Sequence, residues 1–211
     1  STTLANSTWY HVAATFSEIN NVMKVYVNGT EDGTQSIHSS YELYHWGGRL
    51  QIGRDDWWGS RYFEGIIDEV RVSNFARTSF VFNQTYITYN WSHPSVAQIR
   101  LNAPPVISSL TISPGVVQQY NYTGLQTTLD RHTLAYWRFE DGEGRTVTDE
   151  TNWSWDGNTE FGPDWGTGRY GGALEFDYDD NWQYVEMEHY YHNGAEFPNG
   201  FTFETWIYNS E

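Results

Sequence analysis

Carboxylates are the side chains from which this chain would have to build any chemistry. There are 27 Asp and Glu against 11 Lys and Arg, so the formal charge is 11 − 27 = −16. Cysteine is absent, which removes disulfides, thiolate metal sites and thiol nucleophiles together. The seven His are scattered, and neither a His-x-x-x-His pair, a nucleophile elbow nor a phosphate-cradling glycine loop occurs. Cleavage of a glycosidic bond needs two carboxyl groups held at a set separation across the substrate. Asp68 and Glu69 are adjacent, and neighbours on a regular strand point to opposite faces. No Glu-x-Asp-x-x-Glu strand offers a substitute, so an enzyme is not expected.

Two binding chemistries are left. Ca2+ takes carboxylate and carbonyl oxygens. The run Asp177-Tyr178-Asp179-Asp180-Asn181, with Glu188 twelfth counting from Asp177, partly imitates an EF-hand loop. It has Trp182 where the sharp turn needs Gly, so that reading is rejected, and Asp55 and Asp56 read as solvated loop carboxylates. Sugar binding is the second chemistry, because indole rings stack on sugar faces while carboxylates and amides bond hydroxyls. Trp57, Trp58, Trp153, Trp155 and Trp165 lie in Gly/Asp/Asn-rich stretches, with Trp57 and Trp58 the candidates. With 11 Trp to place, packing against the ends of a core is the favoured alternative. The strong acidity argues against a polynucleotide partner, since no basic stripe is available to neutralise phosphates.

The elements that would carry these residues are strands. Tyr10, Val12, Ala14 and Phe16 form one period-2 face, and Met23, Val25 and Val27 form another that ends at the turn pair Asn28-Gly29. Residues 49–53, 65–73, 134–139, 173–176, 183–187 and 201–208 read as further strands, and Phe75 to Tyr89 has room for a short helix. Pro94, Pro104, Pro105 and Pro114 punctuate a stretch of low charge, which predicts an extended connector over 80–133 or a single isolated strand within it. The class is an all-β sandwich.

Compartment signals point outward. Sequons begin at Asn6, Asn28, Asn83, Asn90, Asn121 and Asn152, where fifteen Asn would give about two or three by chance. An extracellular or cell-surface chain bearing covalent N-glycans is expected, with Asn28 the least favourable site because of its turn. No apolar run approaches the roughly 20 residues that span a bilayer. With no initiator Met or signal segment at Ser1, the chain reads as a mature or excised piece.

Ordered motifs in both parts of the chain resemble the laminin-G-like (concanavalin A-like) jelly-roll family. Residues 9–16, 23–29, 52–54 and 63–73, the last reading Phe-Glu-Gly-Ile-Ile-Asp-Glu-Val-Arg-Val-Ser, follow that family's C-terminal half in order and spacing. Residues 134–144, 170–177, 184–186 and 201–207 follow its N-terminal half. The order is thus inverted: 1–79 is a C-terminal half, 80–133 a connector, and 134–211 an N-terminal half. Members of the family often hold a structural Ca2+, which directs attention to Asp68 with Glu140, Asp141 or Asp149.

Half a jelly roll leaves its inner face and sheet edges in water, so something must complete each half. The halves could close within the chain as a circular permutant, belong to a longer tandem array, or be completed head to tail by identical or homologous units as a filament. The Pro-punctuated connector suits a spacer, so an N-glycosylated structural array or filament is the leading expectation. A carbohydrate-binding or adhesion module at a cell surface is the alternative.

Overall fold

The computed structural model describes residues 1–38, 49–55, 61–80, 87–91, 118–122, 132–151, 153–177, 182–190, 197 and 199–210. The chain divides into two compact units, Ser1–Phe80 with Leu129–Glu211, and Val81–Thr128. Among the described residues there is no helix, and Ile87–Tyr89, expected within a helix, belongs to a strand.

The larger unit is a sandwich of antiparallel sheets. Its first part supplies β1 (Trp9–Ser17), β2 (Val22–Val27), β3 (Thr30–Ser36), β4 (Arg49–Ile52), the short ribbon β5 (Arg54–Asp55) with β6 (Arg61–Tyr62), and β7 (Gly65–Ser73). The smaller unit holds a hairpin of β8 (Ile87–Trp91) and β9 (Gln118–Tyr122). The last part supplies β10 (Thr133–Trp137), β11 (Thr146–Val147), β12 (Gly157–Glu160), β13 (Asp164–Thr167), β14 (Gly172–Phe176), β15 (Tyr184–Tyr190) and β16 (Gly200–Asn209). The large sheet runs β13-β14-β7-β16-β1-β2-β3, with β10 also on β7, and the small sheet runs β11-β12-β15-β4.

Both sheets therefore mix strands from the two halves. Strand β16 lies between β7 and β1, β14 and β10 both pair with β7, and β15 pairs with β4. In this structure the halves complete each other within the chain, the closure that is one of the three arrangements expected. The physical reason is that β16 finds donors and acceptors along both of its edges in strands of the same molecule.

Local sequence explains the hairpins. Asn28 and Gly29 have φ of 48° and 76°, as a two-residue turn between twisted strands requires, and this turn joins β2 to β3. The Asn28 side chain locks the turn by accepting a hydrogen bond from the His11 amide at 2.9 Å. Strand β3 (TEDGTQS) has no apolar alternation and forms by pairing with β2, and its exposed polar residues suit a sheet edge.

The core is built around Trp137 and Phe139, both fully buried, with Val72, Val147, Leu174, Phe176, Val185 and Met187. The Trp137 indole N–H donates to the Trp155 carbonyl at 2.8 Å, so the ring is buried with its polar atom satisfied. On β2 the buried residue is Tyr26, whereas Met23 and Val25, expected as a core face, are exposed. The cause is the segment after β7, which crosses the opposite face of the large sheet. Phe80 packs on Tyr26 and His11, with ring centroids 5.0 and 5.3 Å apart. The Arg77 amide donates to the Thr202 hydroxyl at 2.8 Å, and that hydroxyl donates to the Phe75 carbonyl at 2.7 Å.

Beside that crossing lies a buried ion pair between Arg71 on β7 and Glu204 on β16, directly opposite one another. Removing one partner of such a pair leaves a charge uncompensated, at a cost of about 3–5 kcal/mol. Arg71→Ala or Glu204→Ala is accordingly predicted to destabilise the sandwich by about that amount in urea unfolding, while Arg71→Met with Glu204→Leu recovers most of it. Single changes costing under about 1 kcal/mol would show that the pair contributes as a surface pair does.

Candidate functional site

Strand β7 changes neighbours along its length. Its C-terminal part, from Val70 to Ser73, pairs with β10, and its N-terminal part, from Gly65 to Ile67, pairs with β14. Between the two lie Asp68 and Glu69. There the register against β16 shifts between Glu204 and Trp206, and Glu69 takes a φ of 55°, the signature of a β-bulge. The expectation that Asp68 and Glu69 face opposite sides is therefore corrected. The extra residue breaks the alternation and leaves both side chains buried, at 0% and 3% exposure.

The second half closes over them. The Asp68 Oδ2 accepts a hydrogen bond from the Tyr170 amide at 2.9 Å. Arg138 lies 3.5 Å from the Glu69 carboxylate and 3.2 Å from that of Glu140, and Glu140 accepts from the Gly172 amide at 3.2 Å. Tight glycines make the approach possible. A Cβ on Gly168 would sit 2.6 Å from the Asp68 Oδ2, and Gly171, at φ +72°, carries its backbone against Glu140. Glu69 and Glu140 thus share one guanidinium at the seam between the halves, with Asp68 buried beside them.

Burial decides their protonation. It pushes the Asp68 carboxyl up to about 7, with the Tyr170 amide opposing and Glu140 adding to the rise. It pushes Glu69 up to about 9, with the neighbouring Asp68 adding and Arg138 opposing. Among the described residues the Asp68 Oδ1 makes no hydrogen bond, and Glu69 has the Arg138 guanidinium at ion-pair distance rather than at hydrogen-bond distance. His11, buried beneath Phe80 and near Arg71, is pulled down to about 3, first by burial and then by the Arg71 charge.

The four proposed Ca2+ ligands are not gathered into one oxygen cage. Asp68 and Glu140 come together, but the Arg138 guanidinium already supplies the cation there. Asp149 is a loop staple. One oxygen accepts from the Tyr136 and Thr151 amides, and the other from the Trp155 amide and the Thr151 hydroxyl, at 2.7–3.0 Å. Asp141 is held by the amide and hydroxyl of Thr148. Among the described residues no group of three or more His, Cys, Asp or Glu is disposed to hold a metal. The donor set does not fit Ca2+.

Trp57, Trp58 and Asp56 lie outside the described residues. Of the other loop indoles, Trp155 is core, Trp165 packs against the core and donates to the Gly144 carbonyl at 3.0 Å, and Trp153 stands 61% exposed. Among the sequons, Asn6 is exposed, Asn28 is engaged in its turn, Asn90 and Asn121 fall in β8 and β9, and Asn83 and Asn152 lie outside the described residues. Glu69 and Arg138 were missed in the sequence, because a bulge at a non-glycine residue leaves no mark in the residue pattern.

The raised carboxyls make stability depend on pH. Their contribution is present in full below about pH 4 and is lost as pH rises through about 7 for Asp68 and about 9 for Glu69. That of His11 is present above 6.5 and lost as pH falls toward about 3. The urea midpoint is therefore predicted to fall between pH 7 and 9, and Glu69→Gln is predicted to flatten that fall. An unchanged slope in the variant would remove Glu69 as its cause.

Residues 1–79 match a laminin G-type family model described as the concanavalin A-like lectin/glucanases superfamily. No curated protein and no solved structure matches the chain. The first 79 residues thus carry the sequence pattern of that superfamily, and the sandwich they build with the second half is consistent with its jelly-roll fold.

Proposed function

We propose that this chain is a carbohydrate-binding or adhesion module of the concanavalin A-like type, working outside the cell or at its surface. Such a superfamily match suggests a binding or adhesion domain. The observation that carries the reading is the sealing of Asp68 and Glu69 under Tyr170 and Arg138, out of a substrate's reach. With the closest carboxyl pair spent on the seam, the sandwich presents surfaces on which molecules can dock. Glucanases occur in the same superfamily, so the distinction rests on this burial. Laminin G-like domains are typically extracellular. Among the described residues no helix is long and apolar enough to cross a membrane.

A second reading is a structural repeat in an N-glycosylated tandem array or filament. It is favoured by the division of the chain into the sandwich and a second unit, Val81–Thr128, of the length a spacer would need. Such an array would consist of closed modules, each complete in itself. The sequons and any bound Ca2+ belong to the same reading, although the carboxylate geometry speaks against the ion.

A glycan array probed with the wild-type chain and with Trp57→Ala/Trp58→Ala tests the first reading. Saturable binding to a defined glycan class is the expected result, and its loss in the double variant would assign the site to that loop. Wild-type protein that retains no glycan and no cell-surface glycoprotein would rule the reading out. Negative-stain microscopy of native material tests the second, which predicts strings of beads, and isolated monomers at high concentration would contradict it.

A further inference from the structure

The outward face of the small sheet carries an assembly that the carboxylate seam does not use. Val185 and Met187 on β15 are core residues, so Tyr184 and Glu186 between and beside them project to the other side. Tyr184 stands opposite Glu160 of β12, and Glu186 stands between Asn158 of β12 and Gln51 of β4.

Aromatic rings continue this face at one end. Phe161, directly after β12, packs on Tyr184 with centroids 6.1 Å apart. The Arg54 guanidinium lies 4.8 Å from the Tyr184 ring and 5.9 Å from that of Tyr62. Tyr62 in turn lies parallel to Trp182 within 7°, at 6.2 Å. The two end members, Phe161 and Trp182, are 58% and 59% exposed. Large rings left in water at both ends of a continuous strip need an apolar partner, and core packing does not supply one.

The chemistry beside the strip specifies that partner. Gln51 donates to Glu186 at 3.3 Å, and Arg145 pairs with Glu160 at 2.8 Å, so planar carboxylate and amide groups line the rings. Rings for stacking, flanked by fork-shaped hydrogen-bonding groups, match a sugar whose C–H face is apolar and whose edge carries hydroxyls. The strip runs from the small sheet onto the β5–β6 ribbon, which suits a chain passing along it. Glu160 and Glu186, in a protein of formal charge −16, disfavour a polyanion.

We propose that Phe161, Tyr184, Arg54, Tyr62 and Trp182 form a binding platform for a neutral polysaccharide, with Glu186 bonding its hydroxyls. This assignment rests on the binding-module reading above.

Calorimetric titration of the whole chain with cellohexaose, laminarihexaose and a hexameric uronic acid oligomer tests it. Binding of a neutral oligomer that is insensitive to salt is expected, weakened at least tenfold by Trp182→Ala and by Phe161→Ala. Both rings are solvent-facing, so an unchanged thermal midpoint will show that each variant is folded, and Glu186→Gln serves as a milder third change. Neutral-oligomer binding that survives both ring changes would overturn the platform and leave the module reading standing. Preference for the uronic acid oligomer would overturn the neutral ligand class. No binding to any of the three by wild-type chain would overturn the platform, and a blank glycan array as well would remove the module reading too.

Discussion

Strand β16 is hydrogen-bonded along both edges to strands of the other half, and the rest of the sandwich depends on that insertion. Without it, β7 and β1 would each expose a row of unpaired amides and carbonyls, and the apolar face they share would lie open. With it, the two ends of the chain become one continuous sheet. Strand pairing is indifferent to which end of the chain supplies the strand. Only the connection must be long enough, and here 48 residues, Val81–Thr128, form a unit of their own between the halves.

The same insertion explains the buried polar groups. Closing one sheet from two segments brings β7, β10, β14 and β16 together where one neighbour strand hands over to another, and backbone groups at such a gap need partners. Tyr170 and Gly172 find theirs in the carboxyls of Asp68 and Glu140. Burial then forces Asp68 and Glu69 toward the neutral state, so the seam is joined by carboxylic acids and one arginine. Farther along the same face, the crossing segment from Phe75 to Phe80 turns a surface of His, Thr, Arg and Glu into a buried one.

Much of this was legible in the residue pattern. Residue patterning located β1, β7, β14 and β16 to within a residue or two, and the ordered motifs identified the fold type. Three things were not legible, each for a physical reason. Pairing between halves is a property of three-dimensional closure, and the Pro-punctuated connector drew the expectation toward completion by neighbouring units rather than within the chain. The bulge at Glu69 changes the side on which a residue lies without changing the residues. Polar strands such as β3 are strands because a neighbour pairs with them, so their composition carries no signal. For the same reason the burial of Tyr26 in place of Val25 could not be foreseen, since it depends on what crosses the sheet.

The central claim is closure of the two halves within one chain. The chain lacks cysteine, and Val12 and Thr205 stand directly opposite one another on β1 and β16, so a double variant, Val12→Cys with Thr205→Cys, reports on that pairing. Oxidation across a wide range of protein concentration, followed by mass measurement without reductant, should give a single disulfide-closed monomer at every concentration. A ladder of covalent dimers and higher species, growing with concentration, would show that β16 is donated to a neighbouring molecule and would contradict the account.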